Sequence, residues 1–111
     1  MIEKANLEIF SEILLSLAKK DKDIIVVTSD SRGSGKLTNF GKELPDQIIE
    51  VGIAEQNLIG VAAGLAKEGH NVFATSFSPF IAMRASDQVR MNMGYMNLNI
   101  KAVAIGSGIG M

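Results

Sequence analysis

The 111-residue chain contains 11 Lys and Arg, 12 Asp and Glu and no Cys, and its net charge is −1. This balance gives no electrostatic basis for binding nucleic acid or an anionic membrane, and the lack of cysteine excludes a disulfide framework, a thiolate metal site and a catalytic thiol. With 47% hydrophobic residues and no apolar run near the roughly 20 residues of a membrane helix, the sequence predicts one globular domain over 1–111 in a cytoplasmic protein.

The first half of the chain alternates between helix and strand signals. Phe10, Ile13, Leu14 and Leu17 follow the i, i+3, i+4, i+7 spacing, which predicts an amphipathic helix over 3–20 with these residues on its apolar face. The β-branched run over 24–28 predicts a strand buried on both sides, as in a parallel sheet. We expect a polar loop over 29–35, a short helix over 37–44 and a second strand over 47–51.

The segment over 55–68 predicts a helix closed by Gly69. Gly60 and Gly64 lie four residues apart on one face of it. Each interior glycine costs a helix about 1 kcal/mol relative to alanine, so their presence indicates tight packing. That packing is either burial beneath the sheet or contact with another subunit.

The second half continues the alternation. A strand is predicted over 71–76, and Ser78-Pro79 is a helix start for a segment reaching about residue 93, in which Arg84, Asp87 and Arg90 are spaced for i, i+3 pairing. A last strand is predicted over 100–105. The pattern indicates an α/β fold, a parallel sheet with helices on both faces. The glycine-rich residues 106–111 after a buried strand predict a truncated domain, incomplete at its C-terminus, that belongs to a longer polypeptide.

In a parallel sheet, ligand chemistry falls in the loops after the strands. The first such loop carries Asp30, Arg32 and Ser34 among glycines. These residues suit either a phosphate site or an ordinary solvated loop, and the segment is neither a P-loop nor a dinucleotide fingerprint.

Two further loops carry candidate side chains. Glu55 begins the apolar helix, where the helix dipole favours a carboxylate by about 0.3 to 1 kcal/mol; the functional alternative is a buried carboxyl that transfers a proton. Phe77 and Phe80 flank Ser78-Pro79, where they either pack in the core or stack on a planar heterocycle.

Four motifs, in order, carry a family resemblance. They are Asp30 to Ser34, Val51 to Asn57 (Val-Gly-Ile-Ala-Glu-Gln-Asn), Ala62 to Ala66, and Ser76 to Phe80 followed by Arg84 and Asp87-Gln88. Together the chain resembles the pyrimidine-binding domain of transketolase, as found in the C-terminal subunit of split transketolases. The Gly-Ile-Ala-Glu-Gln run is shared with 1-deoxyxylulose-5-phosphate synthase and related to the β-subunits of pyruvate-type dehydrogenases.

The resemblance implies the thiamine diphosphate-binding fold and roles for individual residues. Glu55 would be the catalytic carboxyl that hydrogen-bonds N1′ of the aminopyrimidine ring of thiamine diphosphate, protonated for part of the cycle. The other implied positions are Phe77, Phe80 and Asp30 for the cofactor, and Ser34 and Arg32 for a sugar phosphate.

The resemblance also implies transfer of a two-carbon ketol unit between sugar phosphates, as in the pentose phosphate pathway. The Gly-Asp-Gly motif that binds Mg²⁺ and diphosphate in such enzymes does not occur in this sequence. A diphosphate-binding transketolase N-terminal subunit or domain would therefore be the partner, the chain alone would be inactive, and we expect a homodimer or larger oligomer. The alternatives are a 1-deoxyxylulose-5-phosphate synthase, a 2-oxo acid dehydrogenase E1 β-type subunit, or a non-catalytic α/β interaction module that assembles through the Gly60/Gly64 helix.

Overall fold

A computed structural model of the chain describes residues 5–106, and in it helices and strands alternate. The helices are α1 (Asn6–Lys20), α2 (Thr38–Glu43), α3 (Glu55–Lys67) and α4 (Ser86–Val89); the strands are β1 (Ile24–Thr28), β2 (Ile48–Glu50), β3 (Asn71–Phe77) and β4 (Ile100–Ile105). A 3₁₀ turn at Pro45–Gln47 precedes β2, and π-helical turns at Phe80–Arg84 and Arg90–Tyr95 flank α4. Residues 3 and 4 of the predicted first helix, and residues 107–111 of the glycine-rich end, lie outside the described residues.

The four strands form one parallel sheet in the order β2-β1-β3-β4. Every residue of β1 is buried, because this strand has a neighbour on each side and helices above and below. The predicted parallel sheet with helices on both faces is confirmed.

Alternate residues of β1 serve two separate cores, as the two-residue period of a strand requires. Ile25 and Val27 face α3, where they meet Leu58, Ile59 and Ala62. The opposite core lies between the sheet and the α1/α2 layer and contains Leu14, Ala18, Ile24, Val26, Leu37, Phe40 and Ile48. Burial of each large aliphatic side chain stabilises the fold by about 1.5 to 3 kcal/mol.

The predicted apolar face of α1 is wrong at two positions. Ile13 and Leu17 are 55% and 51% exposed, whereas Leu14 is 2% exposed. The helix contacts the sheet side along a narrower stripe at i, i+4 and i+8, formed by Phe10, Leu14 and Ala18, so the other half of the sequence pattern faces outward.

The glycine face of α3 is also not packed as the first alternative required. Gly60 and Gly64 are exposed, and a Cβ added at either would meet nothing within 4 Å among the described residues. Burial of this face beneath the sheet is therefore wrong, and contact with another subunit stays a prediction.

The segment after β3 is helical as predicted, but not a single α-helix. The N–H of Ala85 donates to the carbonyl of Phe80 over 3.0 Å, and that of Met96 to Met91 over 2.8 Å. Both are i to i+5 bonds, which define π-helical turns and widen the helix locally. None of the helices found between residues 5 and 106 has the length and apolar character needed to cross a membrane.

Candidate active site

The candidate site lies where the strands end. In the order β2-β1-β3-β4 the chain leaves β1 toward one side of the sheet and returns to β3 on the other, and ligand crevices of α/β folds open at this switch point. Here the Ser29 and Ser76 hydroxyl oxygens, one residue after β1 and near the end of β3, are 2.5 Å apart and buried.

Glu55 is the buried carboxylate of this region. It is the first residue of α3 and is 1% exposed, placed where the unpaired N–H groups and dipole of the helix favour negative charge. Its Oε1 accepts a hydrogen bond from Nη1 of Arg84 over 2.6 Å. A buried acid with one charged partner is an arrangement that occurs at catalytic sites and in structural ion pairs alike.

Arg84 comes from the π-helical turn after β3, and sequence spacing assigned it to the wrong partner. Asp87 pairs with Arg90 over 2.7 Å, while the Arg84 guanidinium reaches Glu55 and lies 4.4 Å from the ring centroid of Phe80. The ion pair with Glu55 joins residues 29 positions apart, so no local spacing signals it.

Phe77 and Phe80 meet as the sequence predicted for a ring-binding pair. Their ring centroids are 6.1 Å apart at an interplanar angle of 83°, the edge-to-face geometry that aromatic pairs favour. With Pro79, Ile105 and Gly106 they line an open cavity of about 360 Å³. Its walls are apolar and aromatic, which suits a planar heterocycle.

Glu50, which sequence reasoning missed, ties together two of the loops. Its carboxylate accepts hydrogen bonds from the Thr28 hydroxyl over 2.8 Å, the Asp30 N–H over 2.6 Å and the Gly52 N–H over 2.8 Å. Burial raises the pKa of Glu50, but these donors, together with the charge of Arg32, hold that pKa below its ordinary value. Only a polar residue at the end of a strand signals this role in the sequence.

The two residues that donate backbone N–H groups to Glu50 adopt left-handed conformations. Asp30 has φ 53° and Gly52 has φ 78°, a region that glycine enters freely and aspartate tolerates. Glu50 therefore fixes the turn that carries Asp30 and the turn that leads into Glu55.

The predicted sugar-phosphate residues lie on the α2 side of this edge. The Arg32 side chain covers Gly41 of α2, since a Cβ added there would be 2.6 Å from its Nη1. Ser34 is exposed, and the adjoining Gly35 lies against Ile105, one of the cavity residues. The structure thus brings Glu55, Phe77 and Phe80 into one group and sets the loop of Asp30, Arg32 and Ser34 beside it.

Residues 3–111 match the family model described as "Transketolase, pyrimidine binding domain". The chain belongs to this family. The family predicted from the motifs is confirmed, and membership implies use of thiamine diphosphate.

The similar proteins are mostly split transketolases. One of the two chains of the apulose-4-phosphate transketolase of Phocaeicola vulgatus is 44% identical over 100 residues, covering 90% of this chain and 32% of that protein. A putative transketolase C-terminal section of Methanocaldococcus jannaschii has the same identity and coverage. The 1-deoxy-D-xylulose-5-phosphate synthase of Mycobacterium avium is 38% identical over 90% of this chain and 15% of its own length.

A solved structure supports the fold. A split-gene transketolase described as an inactive β4 tetramer superposes with a TM-score of 0.79 and 39% identity, covering 87% of this chain and 32% of that one. The present chain thus spans about a third of the length of its split-transketolase relatives. Within residues 5–106, no group of three or more His, Asp or Glu side chains is arranged to hold a metal ion.

Proposed function

We propose that this chain supplies the aminopyrimidine half-site of a thiamine diphosphate-dependent transketolase that moves a two-carbon ketol unit between sugar phosphates. The observation that carries the proposal is a buried carboxylate, Glu55, connected through Arg84 to Phe80 and an aromatic cavity. An acid for a ring nitrogen and aromatic walls for the ring faces are what an aminopyrimidine requires.

The residues present fit that ring. Phe77 and Phe80 would pack against it and keep water from it, and Glu55 would hold a proton at N1′ and return it in each cycle. When bound, thiamine diphosphate supplies the nucleophilic carbon that takes up the two-carbon unit. The protein's task is to orient the ring and to control that proton.

Asp30, Ser34 and Arg32 extend the proposed site toward substrate. Glu50 holds the Asp30 turn beside the turn that leads to Glu55, so Asp30 is assigned to the cofactor-proximal border. Ser34 and Arg32 would contact the sugar phosphate, a role that requires the Arg32 guanidinium to reach the anion from its position over Gly41.

The other half of the site is assigned to a partner, a diphosphate-binding N-terminal transketolase subunit or domain that holds Mg²⁺. Two large apolar side chains stand close in sequence to the proposed site residues: Ile53 is 73% exposed and Met83 is 76% exposed. Exposed apolar groups of this kind mark surfaces that another protein covers. The sequence expectations of an inactive isolated chain, of oligomers and of a cytoplasmic location belong to the same proposal.

Glu55→Gln tests the proposal in the assembly of this chain with its partner. We expect the variant to bind the partner normally and to lose at least about 100-fold in kcat, because glutamine cannot exchange the proton. Glu68→Gln, an exposed change at the end of the same helix, is the matched control and should leave kcat within about twofold. Turnover by Glu55→Gln at the wild-type rate would refute the proposal and favour the interaction module.

The donor assay separates the proposed reaction from the synthase, which the 38% identical relative makes the second candidate. Ketol transfer from a ketose phosphate without release of carbon dioxide is expected. Consumption of pyruvate with release of carbon dioxide would assign the chain to the synthase instead.

A further inference from the structure

Arg84 contacts the first turn of α3 twice. Its guanidinium Nη1 donates to Oε1 of Glu55 over 2.6 Å, and its carbonyl oxygen accepts a hydrogen bond from Nε2 of the neighbouring Gln56 over 3.1 Å. The two bonds run in opposite directions between the same short segments. They fix both the backbone and the side chain of Arg84 relative to Glu55.

The guanidinium is also held from the other side by Phe80. The distance of 4.4 Å between its central carbon and the ring centroid is a close cation–π contact. Phe80 and Arg84 begin and end the π-helical turn, whose widened backbone accompanies this contact. Such turns are common at functional sites.

Burial distinguishes this ion pair from a surface salt bridge. The Glu55 side chain is 1% exposed and that of Arg84 is 51% exposed, so the arginine carries charge from the surface to a buried acid. In Arg90–Asp87, by contrast, both side chains are 69% exposed, and pairs of that kind contribute little. The Glu55 contact is therefore specific to this carboxylate.

We propose that Arg84 is a positioning residue for Glu55: it holds Oε1 in place so that Oε2 is left for the ring nitrogen, and it is itself aligned by stacking on Phe80. The assignment rests on the proposed function, since it concerns how Glu55 meets the aminopyrimidine. It adds a residue that would act through Glu55 without contacting the cofactor.

The test uses Arg84→Met and Arg84→Lys in the complete assembly, with Arg90→Met as the matched control. Methionine keeps an unbranched apolar side chain, and lysine keeps the charge without the planar fork. We expect Arg84→Met to lower kcat about 100-fold, the cost of a small misplacement of a catalytic group. We expect Arg84→Lys to recover part of this loss and Arg90→Met to change kcat less than twofold.

Two measurements go beyond activity. Titration calorimetry should show that Arg84→Met still binds thiamine diphosphate, within about tenfold of the wild-type affinity, so that the loss lies in kcat. The near-ultraviolet circular dichroism of the bound cofactor should change in Arg84→Met and not in Arg90→Met. Added guanidinium ion should restore part of the Arg84→Met activity, a rescue that a purely structural role would not allow.

Three results would overturn the assignment. They are wild-type kcat in Arg84→Met when Glu55→Gln is inactive, tighter cofactor binding by Arg84→Met, which would show that the guanidinium competes with the ring, and loss of folding in Arg84→Met with full activity in Arg84→Lys. An active Glu55→Gln enzyme would instead overturn the proposed function itself.

Discussion

Phe80 is the aromatic residue on which the candidate site most depends, because it contacts both Phe77 and the Arg84 guanidinium. Phe80→Leu keeps an apolar side chain but removes the ring. Since an aromatic contact contributes about 0.5 to 1.5 kcal/mol beyond area burial, we expect the Kd for thiamine diphosphate in the assembled enzyme to rise up to about tenfold. Titration calorimetry measures this directly.

A second ring pair provides the control for Phe80. Phe10 and Phe73 lie with centroids 6.2 Å apart, next to the core on the α1 side of the sheet. Phe10→Leu should lower thermal stability and leave the cofactor affinity unchanged. Equal affinities for wild type and Phe80→Leu would remove Phe80 from the site.

Glu50 gives the chain a pH-dependent contribution to stability. Its folded-state pKa lies below the ordinary 4.5, so the ionised carboxylate stabilises the fold above that pH and the contribution is lost as the pH falls through the folded-state pKa. For Glu50→Gln we expect a loss of about 1 kcal/mol at pH 7, after allowance for its exposure to solvent. The loss should shrink toward zero by about pH 3.

Thermal unfolding followed by circular dichroism at neutral and acid pH measures this difference. Glu43→Gln, which breaks an exposed pair with Lys19, is the control and should shift the melting temperature less at pH 7. A deficit for Glu50→Gln that stays the same at both pH values would show that the carboxylate charge is not what holds the two turns.

The sequence alone indicated some of these residues and not others. Glu55, Phe77 and Phe80 stand in short motifs at predicted helix starts, so local spacing identified them. Glu50 bonds to Thr28 across 22 positions and Arg84 to Glu55 across 29. Partners so far apart are chosen by the packing of strands and helices, which no local pattern encodes.

Helix α3 is the element whose sequence is least typical of its packing. Gly60 and Gly64 face outward with free space around them, so in the isolated chain they cost helix stability without a compensating contact. Gly60→Ala should therefore raise the free energy of unfolding of the dilute chain by up to about 1 kcal/mol, or roughly 4 °C in melting temperature.

Gly52→Ala is the control for this helix substitution. Gly52 has φ 78°, which alanine adopts only with strain, so this variant should melt at a lower temperature. Should Gly60→Ala also lower the melting temperature at high dilution, Gly60 would have a packing role inside the chain. Weaker self-association of Gly60→Ala by light scattering, despite a more stable chain, would support a subunit contact at this face.

The segment after β3 shows why an element can be predicted correctly in type and wrongly in detail. The helix start at Ser78-Pro79 indicated helix from sequence, yet Phe80–Arg84 and Arg90–Tyr95 are wound as π-helix. The extra residue in each turn has no composition of its own. It accompanies the Arg84 contacts with Phe80, Glu55 and Gln56, which are tertiary.

Across the whole molecule, helix and strand alternation predicted the parallel α/β sheet, but the strand order β2-β1-β3-β4 follows only from three-dimensional packing. That order puts the switch point at β1 and β3 and gathers the three predicted loops at one edge. The exposed Ile53 and Met83 lie on the segments that carry Glu55 and Arg84. A chain that spans a third of its relatives' length is expected to present such a surface to the rest of the enzyme.

The central claim is that Glu55 binds the aminopyrimidine. The most direct test is a crystal structure of the chain assembled with its diphosphate-binding partner, Mg²⁺ and thiamine diphosphate. We predict a Glu55 carboxyl oxygen within about 3 Å of N1′, with Phe80 against the ring and Arg84 still on Oε1. A bound ring whose N1′ meets another group, with Glu55 turned away from it, would contradict the account.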